Sequence, residues 1–363
     1  MLRTQHGPIL PLMCRENNIH FLKRCEQLLS LVCKSGWSFQ TAADLPILCS
    51  PHMTPTRWAS MQRRRQLFAI SEILESMRVF LVCFNDSKHV HFLIIDRALH
   101  VWRTMFAVLD DTIIESPFVL DCEMVYNTDS KSWMLIVLDC LVQRNQSTSH
   151  ESLTQRMQFV VQLCTSLSSC VDLSPDLVAK HYYLMNSKRN IHQMILLTTM
   201  PGFSTTGFVC KQITKLTAGS RGNDSSASVV DNDVKFRSSS LVTVDLMLDL
   251  PTNKLFAREN DTSLKLVMVG FCADTQLQDI GLPNLFQHFP RDSVPALPHV
   301  SMNDCNSMPP YTRVVVECQR AGPPPGHWKP IFFRFDKRWP NTKADVTRTW
   351  QWLDHPMTEQ DFK

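Results

Sequence analysis

The chain has 363 residues, 44% hydrophobic and 20% charged, with a net charge of +3. That length can bury two cores. Only 10 glycines argue against a glycine-rich phosphate-loop enzyme. The charge is too small to be a nucleic-acid footprint, so any anion site must be local. The 13 cysteines contain no C-x-x-C pair. This disfavours a zinc site or a disulfide framework and favours buried free thiols in a reducing compartment.

Arg3 precedes any acidic residue, which is compatible with a mitochondrial presequence. No apolar run approaches the ~20 residues needed to cross a bilayer, so no membrane partner is expected. Residues 18–34 place Ile19, Leu22, Cys25, Leu28, Leu29 and Val32 at helical spacing. Prolines between Pro46 and Pro55 mark a break, and Arg63-Arg64-Arg65 then read as a solvated helix face rather than an RNA contact. Strands are predicted at Val79–Phe84, Val90–Ile95, Leu99–Thr104, Phe118–Val125 and Trp133–Leu138, all rich in branched and aromatic residues. Residues 151–200 read as mostly helical, with Leu153, Met157, Val160, Val161 and Cys164 on one face. Ala218–Asp233 is polar and reads as a loop.

From about Leu246 the pattern changes to short strands at Lys265–Phe271, Arg313–Cys318 and Pro330–Phe335, with Pro-rich connections and a terminal helix over Thr342–Leu353. A compact barrel of the OB type fits that spacing. The last strand runs into Arg334-Phe335-Asp336-Lys337-Arg338-Trp339-Pro340-Asn341. It delivers two cations and a carboxylate before a Pro-Asn turn.

That segment resembles R-x-D-K-x-x-P-N, the C-terminal signature of the guanylyltransferase domain of mRNA capping enzymes. Other segments resemble the same family in the same order. Thr54–Met61 is similar to its P-V-S-M entry, Leu120-Asp121-Cys122-Glu123-Met124-Val125 to L-D-G-E-M-V, and Met134–Asp139 to Y-L-I-Y-D. Asp233-Val234-Lys235-Phe236-Arg237 with Val244-Asp245-Leu246 is similar to D-x-L-K-W-K and V-D-F, and Val314–Cys318 to I-I-E-C. Met77–Val82 and Phe92–Arg97 resemble the two strands that follow the family's nucleophile, K-x-D-G-x-R. That register puts Arg78 on the family arginine, Glu75 and Ser76 on the Asp and Gly, and Ile73 on the nucleophilic lysine.

The resemblance implies an α+β protein. Residues 1–50 would form an N-terminal helical segment and 51–245 a nucleotidyltransferase domain with antiparallel sheets, of the ATP-grasp-like, DNA ligase and capping enzyme kind. Residues 246–345 would form an OB-fold β-barrel closing over a cleft, and 346–363 a tail. It implies GTP as ligand, Mg²⁺ or Mn²⁺ for activity, and the RNA 5′ end as partner along with other RNA-processing proteins. A nuclear setting follows, with mitochondrion or cytoplasm as alternatives. The implied reaction passes GMP from GTP through a lysyl phosphoramidate to 5′-diphosphate RNA.

The implied nucleotide and phosphate contacts are Arg78, Glu123, Lys235, Arg237, Arg334, Asp336 and Lys337. No catalytic residue is identified, because an isoleucine at 73 cannot attack phosphorus. Thr206 replaces the metal-binding carboxylate of M-D-G-L-I, which leaves the metal ligands unknown, and Cys122 replaces a glycine beside Glu123. Either the protein is a pseudo-guanylyltransferase that binds nucleotide or RNA 5′-triphosphate, or the gene model lacks a short exon between Met61 and Arg78. Lys88 and Lys211 read as solvated charges, and His89 and His91 as surface or hairpin residues. The plain alternatives are an inward Glu123 satisfied by a basic neighbour, surface charges at Lys235 and Arg237, and strand-edge charges at Arg334 and Lys337.

Overall fold

The computed structural model describes residues 14–33, 38–39, 58–59, 61, 68–74, 76–86, 89–97, 99–110, 112, 114–170, 175–185, 203, 205–213, 234–237, 242–260, 263, 265–272, 313–321, 328–334, 337 and 339–354. The expected features at Arg63–Arg65, Glu75, Lys88, Ala218–Asp233 and Asp336 lie outside them. The chain divides into two compact units between Arg237 and Ser238.

The first unit is built on a large sheet whose strands are, in chain order, β1 (Cys14–Arg15), β3 (Met77–Asn85), β4 (Val90–Asp96), β5 (Val101–Thr104), β7 (Phe118–Asn127), β8 (Ser132–Gln143), β9 (Gln146–Ser147) and β11 (Asp176–Ala179). Their spatial order is β1-β5-β4-β3-β7-β8-β11, with β9 on β8. Every pairing is antiparallel except β11 on β8. The β8–β9 hairpin turns through Arg144 and Asn145, both at positive φ, as a two-residue turn matched to strand twist requires. Strand β3, MRVFLVCFN, is apolar at nearly every position because both of its faces are covered.

On one face Val79, Leu81 and Cys83 join Leu120, Cys122 and Leu135 in the main core. Helix α2 (Leu153–Ser166) covers that face with Val160 and Leu163. It starts at a capping box in which Ser152 and Gln155 satisfy each other's backbone N–H groups. A ribbon of β6 (Phe106–Val108) and β10 (Leu167–Ser169) adds Phe106 and Leu167. Helix α1 (Ile19–Ser30), capped by the Asn18 side chain, sets Phe21 against Phe84 and His91, with ring centroids 5.6 and 4.3 Å apart.

A second sheet orders β12 (Tyr183–Leu184), β2 (Phe68–Leu74), β13 (Thr205–Gln212) and β14 (Val234–Arg237). Ile70, Phe208, Cys210 and Phe236 pack with Trp58 and Met61 there. Among the described elements the chain passes between the two sheets three times, from β1 to β2, from β2 to β3 and from β11 to β12.

In the second unit β15 (Thr243–Asp249), β16 (Lys254–Arg258), β17 (Leu266–Phe271), β18 (Arg313–Arg320) and β19 (Trp328–Phe333) form one antiparallel sheet, ordered β17-β16-β15-β18-β19. A meander and a hairpin thus share β15, the order of a partly open five-stranded barrel of the OB kind. Helix α3 (Lys343–Asp354) joins its core through Val346, beside Leu246, Val316 and Trp328.

Three expectations change. Among its described residues the stretch 151–200 is helical only over Leu153–Ser166; β10, β11 and β12 follow, because those residues complete sheet edges, and residues 171–174 and 186–200 lie outside those described. The second unit reaches from Ser238 to Pro356 rather than 246–345, since β15 is its central strand and α3 packs on its core. The described residues are therefore mostly antiparallel sheet with few helices, richer in strand than the α+β expectation.

Candidate functional site

Strand alternation decides which side chains of β3 and β7 can meet. Val79 and Cys122 turn into the main core, so Arg78 and Glu123, cross-strand neighbours, emerge on the opposite face. Cys122, which the resemblance sets on a glycine beside Glu123, thus turns its thiol to the other side of the sheet. Burial raises its pKa well above the usual thiol value.

Arg78 forks onto the Asp121 carboxylate and lies 3.8 Å from Glu123 Oε1. Burial opposes its charge, but Asp121 and Glu123 together hold the guanidinium more firmly protonated than usual. The other oxygen of Glu123, Oε2, is 3.8 Å from Lys180 Nζ, which in turn is 3.7 Å from Glu72 Oε1. Lys180 lies in the crossover between β11 and β12, pinned by its backbone N–H to the Val137 carbonyl at 2.9 Å. Glu72 comes from β2, where its Oε2 accepts from the Thr205 hydroxyl at 3.0 Å. The side chains of Lys180 and Glu72 are each 1% exposed and that of Glu123 9%, whereas Arg78 keeps 26%. Desolvation depresses the Lys180 pKa despite both carboxylates.

Three carboxylates face two cations here (Glu72, Asp121 and Glu123 against Arg78 and Lys180), one formal negative charge in excess. A polyphosphate entering this cluster would need further cations. The Lys180 ammonium also fills the space between Glu72 and Glu123 that a metal shared by them would take. As arranged, these residues do not fit Mg²⁺ or Mn²⁺ there. Thr206 gives its hydroxyl to the Ile73 carbonyl at 3.2 Å and offers no charge.

Ile73 is a half-buried residue of β2 opposite Gly207. Lys211, expected on the surface, is buried: its Nζ reaches Asp139 Oδ2 at 3.3 Å and the Leu138 carbonyl at 3.4 Å. Asp139 is held as well by Arg156 of α2, through bonds of 2.7 and 3.0 Å. Tyr182 donates to the Leu138 carbonyl beside them and lies under Lys211 Nζ. His91, expected at the surface, is buried and bonds Asp86 at 2.7 Å, because α1 covers it; His89 is exposed.

Lys235 is half-buried on β14, level with Val209, and Arg237 ends the same strand. In the second unit Asp245 collects the cations of the C-terminal signature. It pairs with Lys337 and accepts from Arg334 Nη1 at 3.2 Å, while Arg334 is also 3.4 Å from Glu317. Asn341 closes the segment onto β15, its Oδ1 accepting from the Asp245 N–H at 2.7 Å and its own N–H donating to the Asp245 carbonyl at 2.8 Å. Lys337 is 2% exposed at its side chain. The strand-edge reading of these two cations is therefore corrected; carboxylates of β15 and β18 take them in.

Arg78 and Glu123 are thus brought together. Glu72, Asp121, Lys180 and Tyr182 complete their surroundings without having been singled out from the sequence. One signal was available: Glu72 is the lone charge in the apolar strand FAISEIL. Lys180 follows the short strand DLVA in a segment whose helical reading hid it.

No family model matches the chain, and no curated protein matches it. Among solved structures it is similar to a mycobacterial DNA ligase D complexed with ATP and MES, at 13% identity and a TM-score of 0.33, over 74% of this chain and 89% of that one. The ligase domain of the M. tuberculosis LigD is similar at 13% identity and a TM-score of 0.30, over 74% and 90%. A structure from work on Lig E DNA ligases is similar at 9% and 0.30, over 79% and 100%. A likeness this distant says nothing of activity.

Proposed function

We propose that this protein is a guanylyltransferase-like protein that recognises GTP or the 5′-polyphosphate end of RNA, with no nucleophile at position 73. The observation that carries the reading is the cross-strand pair of Arg78 and Glu123 in the buried polar seam of the first unit. These are two residues that the capping-enzyme resemblance assigns to the nucleotide. Arg78 is the most exposed member of that cluster and, with Nε and Nη2 held by Asp121, would offer phosphate its remaining guanidinium N–H donors. Glu123 accepts from the hydroxyl and N–H donors of the nucleoside. The excess negative charge of the seam calls for further cations, a role the family resemblance assigns to Lys235 and Arg237 of β14. Arg334 and Lys337 would serve a phosphate only by exchanging Asp245 for it, since both are already neutralised.

Calorimetric titration with GTP, with 5′-triphosphorylated RNA and with the same RNA ending in a 5′-hydroxyl tests this reading. The expected order is triphosphate above hydroxyl. Arg78→Met removes a charged hydrogen-bond donor and should weaken triphosphate binding by about 1.5–3 kcal/mol, or roughly ten- to a hundredfold. Equal affinity for the two RNA ends, or none for any of the three, would leave a purely structural subunit as the reading.

A further inference from the structure

Glu72 and Glu123 are oriented like the paired ligands of a metal ion. Each carboxylate gives one oxygen to an outer partner and turns the other to a common point. Glu72 Oε2 accepts from the Thr205 hydroxyl at 3.0 Å, and Glu123 Oε1 lies 3.8 Å from Arg78. Outer partners of this kind fix the direction of ligating side chains in metal centres. Glu72 Oε1 and Glu123 Oε2 converge instead on Lys180 Nζ, at 3.7 and 3.8 Å. That ammonium is delivered by regular backbone. Strand β11 pairs with β8 through Ala179 and Val137, and the Lys180 N–H extends the ladder to the Val137 carbonyl at 2.9 Å. The Lys180 side chain is 1% exposed, and neither its Nζ nor Glu123 Oε2 has a hydrogen-bond partner among the described residues.

The charges point the same way. Glu72, Asp121 and Glu123 are three acids, and Arg78 neutralises one of them. Without Lys180 two formal negative charges are left, the complement of one divalent cation. Desolvation lowers the Lys180 pKa, and the pull of Glu123 and Glu72 limits that fall. We propose that Glu72 and Glu123 form a divalent-cation site that the chain closes with its own Lys180 ammonium, so that the seam excludes Mg²⁺ and Mn²⁺ and is held together without metal. An ion at the Nζ position would need both oxygens to close in by roughly 1.6 Å each, to the ~2.1 Å of a Mg²⁺–oxygen bond, with the lysine gone. The closure holds whether or not a nucleotide binds beside it.

The test titrates the full chain with Mn²⁺ alone, reading bound metal by paramagnetic resonance and the thermal midpoint in parallel. Lys180→Ala, which vacates the space for the ion and its waters, should bind one more Mn²⁺ than wild type and gain a midpoint that rises with Mn²⁺. In the Lys180→Ala background, Thr205→Val should weaken the extra site roughly ten- to a hundredfold, as loss of an outer partner does, and Glu123→Gln should abolish it. Equal Mn²⁺ stoichiometry in wild type and Lys180→Ala overturns the proposal, as does an extra site that survives Glu123→Gln. If Lys180→Ala is unfolded in EDTA, recovery of the fold on adding Mn²⁺ supports the closure, and no recovery in Mn²⁺ overturns it.

Discussion

Asp139 pairs with two buried cations, so replacing it by asparagine should be severe. Its carboxylate takes Arg156 at 2.7 and 3.0 Å and Lys211 at 3.3 Å, and also accepts the Cys140 N–H at 2.9 Å. All three side chains are near 10% exposed, so water cannot replace the lost partner. Asparagine keeps the shape but removes the charge and turns one acceptor into a donor facing two cations. Breaking a buried pair from one side costs about 3–5 kcal/mol. With a urea slope of about 3 kcal/mol per M, the midpoint of the first unit should fall by about 1–1.7 M. The pH dependence gives a second readout. Burial pushes the Asp139 carboxyl up, but Lys211 and Arg156 outweigh it and hold the group below its ordinary value of 3.8. The pairing stability is thus present above that value and is lost as pH falls through the folded pKa. Wild type should lose it on acidification below about 3.8, and Asp139→Asn should lack that component. Adding Lys211→Met to Asp139→Asn should recover part of the loss, because one stranded cation is gone. A loss under about 1 kcal/mol, the range of an exposed pair, would refute the reasoning.

Other outcomes follow from the same structure. Asp245→Ala removes the carboxylate that holds Lys337 and one of those that hold Arg334, and should cost the second unit about 3–5 kcal/mol, followed by the fluorescence of Trp328 and Trp339. Cys83, Cys140 and Cys318 should resist thiol reagents in the native protein, because burial raises their pKa. Burial pushes Cys164 up to about 12, so its share of stability should persist up to the ordinary thiol value of 9.0 and decline above it, which a pH series of urea midpoints would show. Phe21→Ala removes the ring contacts of α1 with Phe84 and His91 and should cost about 2 kcal/mol, with His91 becoming accessible to diethyl pyrocarbonate.

The strands around the seam were legible because period-2 and continuous apolar runs report burial directly. Those expected at Val79–Phe84, Val90–Ile95, Leu99–Thr104, Phe118–Val125 and Trp133–Leu138 appear as β3, β4, β5, β7 and β8. Helix Ile19–Ser30 and the terminal helix Lys343–Asp354 follow their spacing in the same way. The segment after Ser166 failed for a physical reason. Its strands are two to four residues long and are stabilised by partners far away in the chain, Val108 for Leu167 and Ile136 for Val178. Local propensity says little about such edges.

The sequence by itself determined much of the strand content and the apolar patterning of the elements. Alternation also put Arg78 and Glu123 on predictable faces, since side chains reverse at every step of a strand. Only the tertiary structure decided which charges meet. Register set Arg78 opposite Glu123, and the β11–β12 crossover brought Lys180 to 3.7 Å from Glu72 of β2, 108 positions away in the chain. Likewise the Arg334 and Lys337 that look like free cations in the sequence are held by Asp245. Pairing of buried charges depends on distance in space and on desolvation, and neither is written in the spacing of residues along the chain.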